Sequence, residues 1–128
     1  MKGCKINLLV LLLFTTSTAF CQSEVFKSVV NNLAFYKQKK DLVYLSRAKK
    51  SVDSLIITRA DSTNLQKMVY RAIVNSSVLY IDSLNKLNQP AGFLAQTAEL
   101  INKLGTNKKI YQYQPEMDYA RYCLANVY

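Results

Sequence analysis

The sequence predicts an all-α fold, an antiparallel array of about five helices in one domain over residues 22–128. Apolar residues recur at steps of three and four in successive segments from Val25 onward, which is the spacing of one helix face. Polar breaks separate these segments, and residues that commonly begin or end helices stand at them: Asp41, Pro90, Gly105 and Pro115. A chain of 128 residues is long enough for one core and short for two.

Residues 1–21 differ from the rest of the chain and are predicted to be a signal peptide. Lys2 and Lys5 precede a run over residues 6–14 that is apolar except for Asn7, and small or polar residues follow it. The run is shorter than the roughly 20 residues that span a bilayer. We predict cleavage after Cys21 and export to the periplasm or the exterior, with a lipoprotein acylated at Cys21 as the alternative.

The first two predicted helices lie on either side of a basic turn. The first begins at a Ser23 cap and has apolar residues at helical spacing from Val25 to Tyr36, and Lys37 to Lys40 is predicted to be the turn. Asp41 is predicted to cap the second helix. The inner side of that helix follows helical spacing: Leu42, Leu45, Ala48, Val52, Leu55 and Ile56.

The third helix is predicted to begin at Leu65, after a polar turn from Arg59 to Asn64. A strand through Val69 to Val74 competes with it because β-branched residues are frequent there. Helical spacing maintained over some twenty residues favours the helix. Its inner side is predicted to be Leu65, Met68, Val69, Ala72, Ile73, Ser76, Leu79 and Tyr80.

The fourth helix follows a polar break from Asn85 to Gln89, with Pro90 predicted in its first turn because proline lacks the N–H that is unpaired there. Gly105 is predicted to end it as a left-handed cap. Its inner side is predicted to be Phe93, Leu94, Ala98, Ile101 and Leu104.

The last helix is predicted to begin at Pro115, after a loop from Thr106 to Gln114. Cys123 falls in an apolar helical pattern and is predicted to be a buried thiol. The inner side of this helix is predicted to be Met117, Ala120, Leu124, Val127 and Tyr128.

The composition argues against several kinds of site. The chain has no histidine, which excludes histidine-based triads and metal sites that need imidazole. Gly92 and Gly105 are the only glycines after the leader, so a glycine-rich phosphate loop is excluded. We therefore predict that the protein is not an enzyme, and that it has no catalytic residues, no metal and no cofactor.

The net charge of +9 is dispersed, and the densest cluster lies beside Asp41 and Asp53. We interpret this cluster as a solvated helix face, with a membrane-facing surface as the alternative. Nucleic acid is not expected as a partner because the protein is predicted to be exported. The cluster consists of Lys37, Lys39, Lys40, Arg47, Lys49 and Lys50.

Two segments resemble the first helix of a tetratricopeptide repeat. The segment from Ala120 to Tyr128 matches it, with Leu124, the small Ala125 and Tyr128 in register. Arg121 replaces the expected tryptophan. Met68 to Ala72 resembles the same helix in a second copy. Ala48, Val52 and Leu55 match the spacing of a second repeat helix, and residues 48–90 are similar to the N-terminal region of exported Bacteroidetes repeat proteins.

The resemblance implies a short or truncated right-handed superhelix that binds a protein or peptide on its concave surface. The two matched small residues, Ala72 and Ala125, are farther apart than the roughly 34 residues of one repeat, so an insertion is required. A bundle without repeats is the alternative fold, and an envelope- or membrane-surface structural protein is the alternative function.

The predicted partner contacts are four residues that flank the matched small residues: Tyr70, Arg71, Tyr119 and Arg121. Tyrosine and arginine are frequent at protein interfaces. The last helix pattern is still running at Tyr128, and repeats need neighbours to cover their apolar faces. Self-association, or a longer parent chain continuing from this helix, is therefore also predicted.

Overall fold

The structure, a computed structural model, describes residues 24–127, and this range holds five α-helices and no strand. The all-α prediction is therefore confirmed. The predicted signal peptide, the Ser23 cap and Tyr128 lie outside the described residues. Helix α1 covers residues 24–39, and the others are α2 (Leu42–Ser54), α3 (Leu65–Ile81), α4 (Phe93–Gly105) and α5 (Gln114–Ala125).

Helix α3 lies at the centre and separates two hydrophobic clusters. The first cluster joins α1, α2, α3 and the start of α4: Val29, Leu45, Ala48, Val52, Val74, Val78 and Phe93. The second joins α3, α4 and α5: Val69, Ala72, Ile101, Leu104, Met117 and Ala120. Because α3 contributes to both clusters, its buried surface extends around most of the helix.

The sequence assigned α3 a single inner stripe, and the structure corrects that assignment. Val74 and Val78, which were outside the predicted stripe, are 0% and 1% exposed, whereas Tyr80, which was on it, is 41% exposed. Ser76 and Ser77 are also buried. Their hydroxyls donate to the carbonyls of Ala72 (2.6 Å) and Ile73 (2.7 Å), which satisfies them inside the core.

The predicted Asp41 cap is confirmed, Asn64 is a second cap that was predicted only as part of a turn, and the turn between α1 and α2 is shorter than predicted. The carboxylate of Asp41 accepts from the Val43 N–H at 3.0 Å, and the Asn64 side chain accepts from the Lys67 N–H at 3.1 Å. The predicted turn from Lys37 to Lys40 is wrong, because α1 continues to residue 39. Only Lys40 leaves the helix, in the left-handed region with φ of 57°.

The predicted ends of α4 are wrong at both termini. Pro90 lies before the helix, whose N-cap is Gly92, and the Pro90 carbonyl accepts from the Phe93 N–H at 3.0 Å. Gly105 is the last helical residue and is not left-handed; Thr106 follows in the right-handed region. A Cβ at Gly105 would meet the Nη2 of Arg121, at the end of a flexible side chain on α5, at 3.1 Å.

The remaining boundaries differ in smaller ways. Helix α2 ends at Ser54, so Leu55 and Ile56 follow its end, although Leu55 stays buried at 6% exposure. The predicted loop before α5 contains a 3-10 turn (Ile110–Tyr113). Pro115 is confirmed in the first turn of α5.

The α2–α3 connection is organised by Asp61. Its carboxylate accepts from the backbone N–H groups of Ile57 (3.0 Å) and Thr58 (2.9 Å), and from the Lys67 Nζ at 2.7 Å. The Lys67 hydrogen bond first, and the backbone donors next, lower the pKa of Asp61 below its ordinary value. The ionised carboxylate therefore stabilises this connection.

We predict that Asp61→Asn reduces stability at neutral pH and flattens its acid dependence. A carboxyl whose pKa is lower in the folded state stabilises it fully above the unfolded value of about 3.9, and loses that contribution as pH falls further. Urea unfolding at a series of pH values from about 7 to 2 measures the change. Asp118→Asn, at an exposed position on α5, is the control. An acid dependence in Asp61→Asn as steep as that of the unchanged protein would contradict this assignment.

Candidate functional site

A groove of about 420 Å³ lies between α1, α3 and α5. Two tyrosines and two charged residues line it, and the remaining lining residues are apolar. Its volume falls within the range of about 300 to 1,000 Å³ typical of ligand sites in proteins. The groove is lined by Val30, Leu33, Ala34, Lys37, Tyr70, Ile73, Pro115, Glu116 and Tyr119.

Packing holds the two tyrosine rings of the groove in place. Tyr70, on α3, packs against Phe26 of α1 with ring centroids 4.8 Å apart. Tyr119, on α5, shares a hydrogen bond of 3.1 Å between its hydroxyl and that of Ser77. Burial is the main cause that raises the pKa of both phenols, and the nearby Glu116 raises that of Tyr70 further. Both rings are therefore neutral over the physiological pH range.

The charged residues of the groove are Lys37 on α1 and Glu116 on α5. One carboxylate oxygen of Glu116 is buried and has no hydrogen-bond partner among residues 24–127. The Lys37 Nζ lies 5.9 Å from the centroid of the Tyr119 ring, and these two charged side chains do not form an ion pair with each other. Two tyrosine rings, of which that of Tyr119 already faces the Lys37 ammonium group, and a carboxylate together suit a cationic group.

Comparisons with protein-family models, with curated proteins and with solved structures found no match. We therefore infer function from the geometry of the sites themselves.

The structure brings together two of the four predicted contact residues. Tyr70 and Tyr119 line the same groove. Arg71 lines a different cavity, between α2, α3 and α4. Arg121 lies on the exposed side of α5, 3.9 Å from the Asp118 carboxylate. The two arginines therefore share neither the groove nor a common surface.

Sequence reasoning missed Glu116 and Lys37. Glu116 precedes Tyr119 by three positions on α5, a spacing that places two side chains on one helix face, so this signal was present. Lys37 was assigned to a turn, and no sequence signal placed α1 beside α5. Its contribution to the groove follows from the tertiary arrangement alone.

A second surface, where the end of α1 meets the start of α2, combines basic and aromatic side chains. The Lys39 Nζ and the Arg47 guanidinium lie 5.6 and 5.4 Å from the Tyr44 ring centroid, and the Lys40 Nζ lies 5.6 Å from that of Tyr36. Phe35 packs 5.5 Å from Tyr44 and is 44% exposed. We name this surface, residues 35–47, the basic corner.

The described range was also predicted to lack a metal site and to contain a buried thiol. Within residues 24–127, no group of three or more histidine, cysteine, aspartate or glutamate side chains is placed to hold a metal ion. None of the helices in the same range is both long and apolar enough to cross a membrane. Cys123 is a free, buried cysteine, as predicted, and burial raises the pKa of its thiol.

Proposed function

We propose that this protein is an exported interaction scaffold built from degenerate tetratricopeptide-like repeats. In this proposal the groove between α1, α3 and α5 binds a segment of a partner protein that places a basic side chain between apolar ones. The proposal rests on one observation, the buried Glu116 oxygen without a partner in a groove lined by apolar residues and tyrosine rings.

The chemistry of the groove favours a cation over a neutral group. A carboxylate oxygen removed from water and left without a hydrogen bond is energetically costly, and a bound donor offsets that cost. A guanidinium donates N–H bonds to a carboxylate and also stacks on aromatic faces. Tyr70 and Tyr119 offer such faces in the same groove as Glu116. An arginine side chain therefore fits the groove better than a neutral residue does.

Lys37 is the groove's own competing cation. Its Nζ lies over the Tyr119 ring at 5.9 Å, where a partner's cation would also bind. The side chain is exposed and flexible, so a partner can displace it toward solvent. Binding therefore exchanges one cation for another, and removing the Lys37 charge should strengthen it.

The repeat interpretation is supported by the helix order around the groove. In that interpretation α1, α3 and α5 are the first helices of successive pairs, and they are the three helices that line the groove. Of the small residues matched to the repeat helices, Ala48 and Ala72 are each 0% exposed, as close helix packing requires, whereas Ala125 is exposed at the end of α5. We propose that these pairs form a short right-handed superhelix with the groove on its concave surface.

The test is a titration of the full chain with two capped peptides, Gly-Leu-Arg-Leu-Gly and the same peptide with citrulline, the neutral isostere of arginine. We predict that the arginine peptide binds about tenfold more tightly, because a charge-assisted hydrogen bond contributes about 1.5 to 3 kcal/mol. Equal affinities would contradict the proposal. The export part rests on residues 1–21, and an N-terminus at Gln22 in the secreted protein would support it.

A second candidate function is attachment to an anionic membrane surface, and the basic corner favours it. Basic groups stacked on tyrosines beside the exposed Phe35 and Val43 combine charge with apolar area. This function predicts sedimentation with phosphatidylserine vesicles that weakens steeply between about 0.05 and 0.5 M salt. Vesicle binding that does not change with salt, or no binding at low salt, would contradict it.

A further inference from the structure

Two exposed tyrosines are in ring contact where the end of α3 lies against α5. The ring centroids of Tyr80 and Tyr122 are 6.0 Å apart, and the two ring planes meet at 70°. This edge-to-face arrangement is favourable for a pair of aromatic rings. The Tyr122 hydroxyl is the main cause that raises the pKa of Tyr80, so the phenol groups interact as well as the rings. The contact therefore brings together two complete phenols from two different helices.

Both phenols are open to solvent. Tyr80 is 41% exposed and Tyr122 is 57% exposed, so a small oxidant in solution reaches either ring. Exposed side chains change rotamer within picoseconds to nanoseconds, and the two rings therefore sample orientations in which their ortho carbons meet. In the other two ring contacts of residues 24–127, a tyrosine packs against a phenylalanine, which has no phenol to couple.

The neighbouring thiol does not compete for an oxidant. Cys123 follows Tyr122 in the chain but is 0% exposed, and burial raises the pKa of its thiol. The thiolate is the form that reacts with oxidants, so a buried and protonated cysteine reacts slowly. Cys123 is also the only cysteine among residues 24–127, so no disulfide joins the helices of this range. A bond between the two tyrosine rings would supply a covalent tie between α3 and α5.

We propose that Tyr80 and Tyr122 are a site of oxidative crosslinking, at which hydrogen peroxide and a peroxidase join the two rings as dityrosine. Each phenol loses one electron and one proton, and the two phenoxyl radicals form a carbon–carbon bond between ortho carbons. The proton on each of these carbons then moves through solvent to the phenol oxygen, which restores both aromatic rings. The peroxide accepts the two electrons and two protons and leaves as two molecules of water. Neither tyrosine lines the partner groove, so this assignment is independent of the proposed function.

The test is oxidation of the full chain, at low micromolar concentration, with hydrogen peroxide and a haem peroxidase. Dityrosine is measured by its fluorescence, and mass spectrometry of the digested protein identifies the joined residues. We expect a monomer that has lost two hydrogen atoms and carries a link between Tyr80 and Tyr122. The midpoint of urea unfolding should rise in this product, because a crosslink restricts the unfolded chain.

Tyr80→Phe and Tyr122→Phe should each lower the yield of intramolecular dityrosine at least about tenfold, since the reaction loses the advantage of two phenols held together. Each variant removes one exposed hydroxyl and keeps the ring. Tyr111→Phe is the matched control, because Tyr111 is 69% exposed and has no ring contact among residues 24–127. Its yield should equal that of the unchanged protein.

Three results would each overturn the crosslinking site. The first is the absence of dityrosine from the oxidised monomer. The second is dityrosine that joins two chains, or other tyrosines of one chain, in place of Tyr80 and Tyr122. The third is a yield in Tyr80→Phe equal to that in Tyr111→Phe, which would show that exposure alone decides where the oxidant acts.

Discussion

Val74→Asp is expected to lower the free energy of unfolding by at least about 3 kcal/mol. Val74 is 0% exposed and packs in the cluster that joins α3 to α1 and α2. A carboxylate there has neither water nor a counter-ion. Because single domains are stable by only about 5 to 15 kcal/mol, we expect a large loss of helical signal on mild heating. Urea unfolding followed by circular dichroism measures the effect.

Val43→Asp is the matched control for this prediction. It makes the same chemical change at a position that is 42% exposed, in the first turn of α2. A carboxylate near a helix N-terminus is favourable, so we expect a change within about 0.5 kcal/mol. Equal stability of Val74→Asp and the unchanged protein would contradict the central position of α3.

Glu116→Gln is expected to weaken binding of the arginine peptide about tenfold and to leave the citrulline peptide unaffected. The substitution keeps the size of the side chain and removes the charge that the guanidinium would pair with. Stability should fall by no more than about 1 kcal/mol, because the shielded oxygen has no hydrogen bond to lose among residues 24–127 and the substitution removes only a favourable charge in the first turn of α5. Calorimetric titration of the full chain with both peptides measures the difference.

Lys37→Gln should have the opposite effect and strengthen binding of the arginine peptide. It removes the cation that lies over the Tyr119 ring. A general electrostatic effect of the protein's positive charge predicts this increase for any cationic peptide. Lys108→Gln separates the local explanation from the general one, because it makes the same change in net charge away from the groove. If the effect of Lys37→Gln is local, Lys108→Gln should leave the affinity for the arginine peptide unchanged.

The helices and several of their caps were predictable because their causes are local. Asp41 and Asn64 cap helices through a neighbouring N–H, and Pro115 suits a first turn in any helix. The inner face of α3 was not predictable from its own periodicity. Val74 and Val78 are buried because α3 is packed on several sides, and that depends on helices far along the chain.

The candidate site was predictable only in part, because its lining depends on which helices pack together. The resemblance to a repeat helix selected Tyr70 and Tyr119, which the structure places in one groove. It also selected Arg71, but adjacent helical residues point about 100° apart, and this one faces another cavity. The ends of α4 were missed because neither residue takes the terminal role that its type favours: Pro90 precedes the Gly92 N-cap, and Gly105 is the last helical residue and is not left-handed.

A double-mutant cycle between Glu116 and the peptide arginine tests the proposed contact most directly. The four titrations pair the unchanged protein and Glu116→Gln with the arginine and citrulline peptides. Direct contact predicts a coupling energy of about 0.5 to 3 kcal/mol, the range measured for interacting pairs. A coupling energy below about 0.3 kcal/mol, with both peptides bound, would contradict the assignment of this groove to a basic side chain.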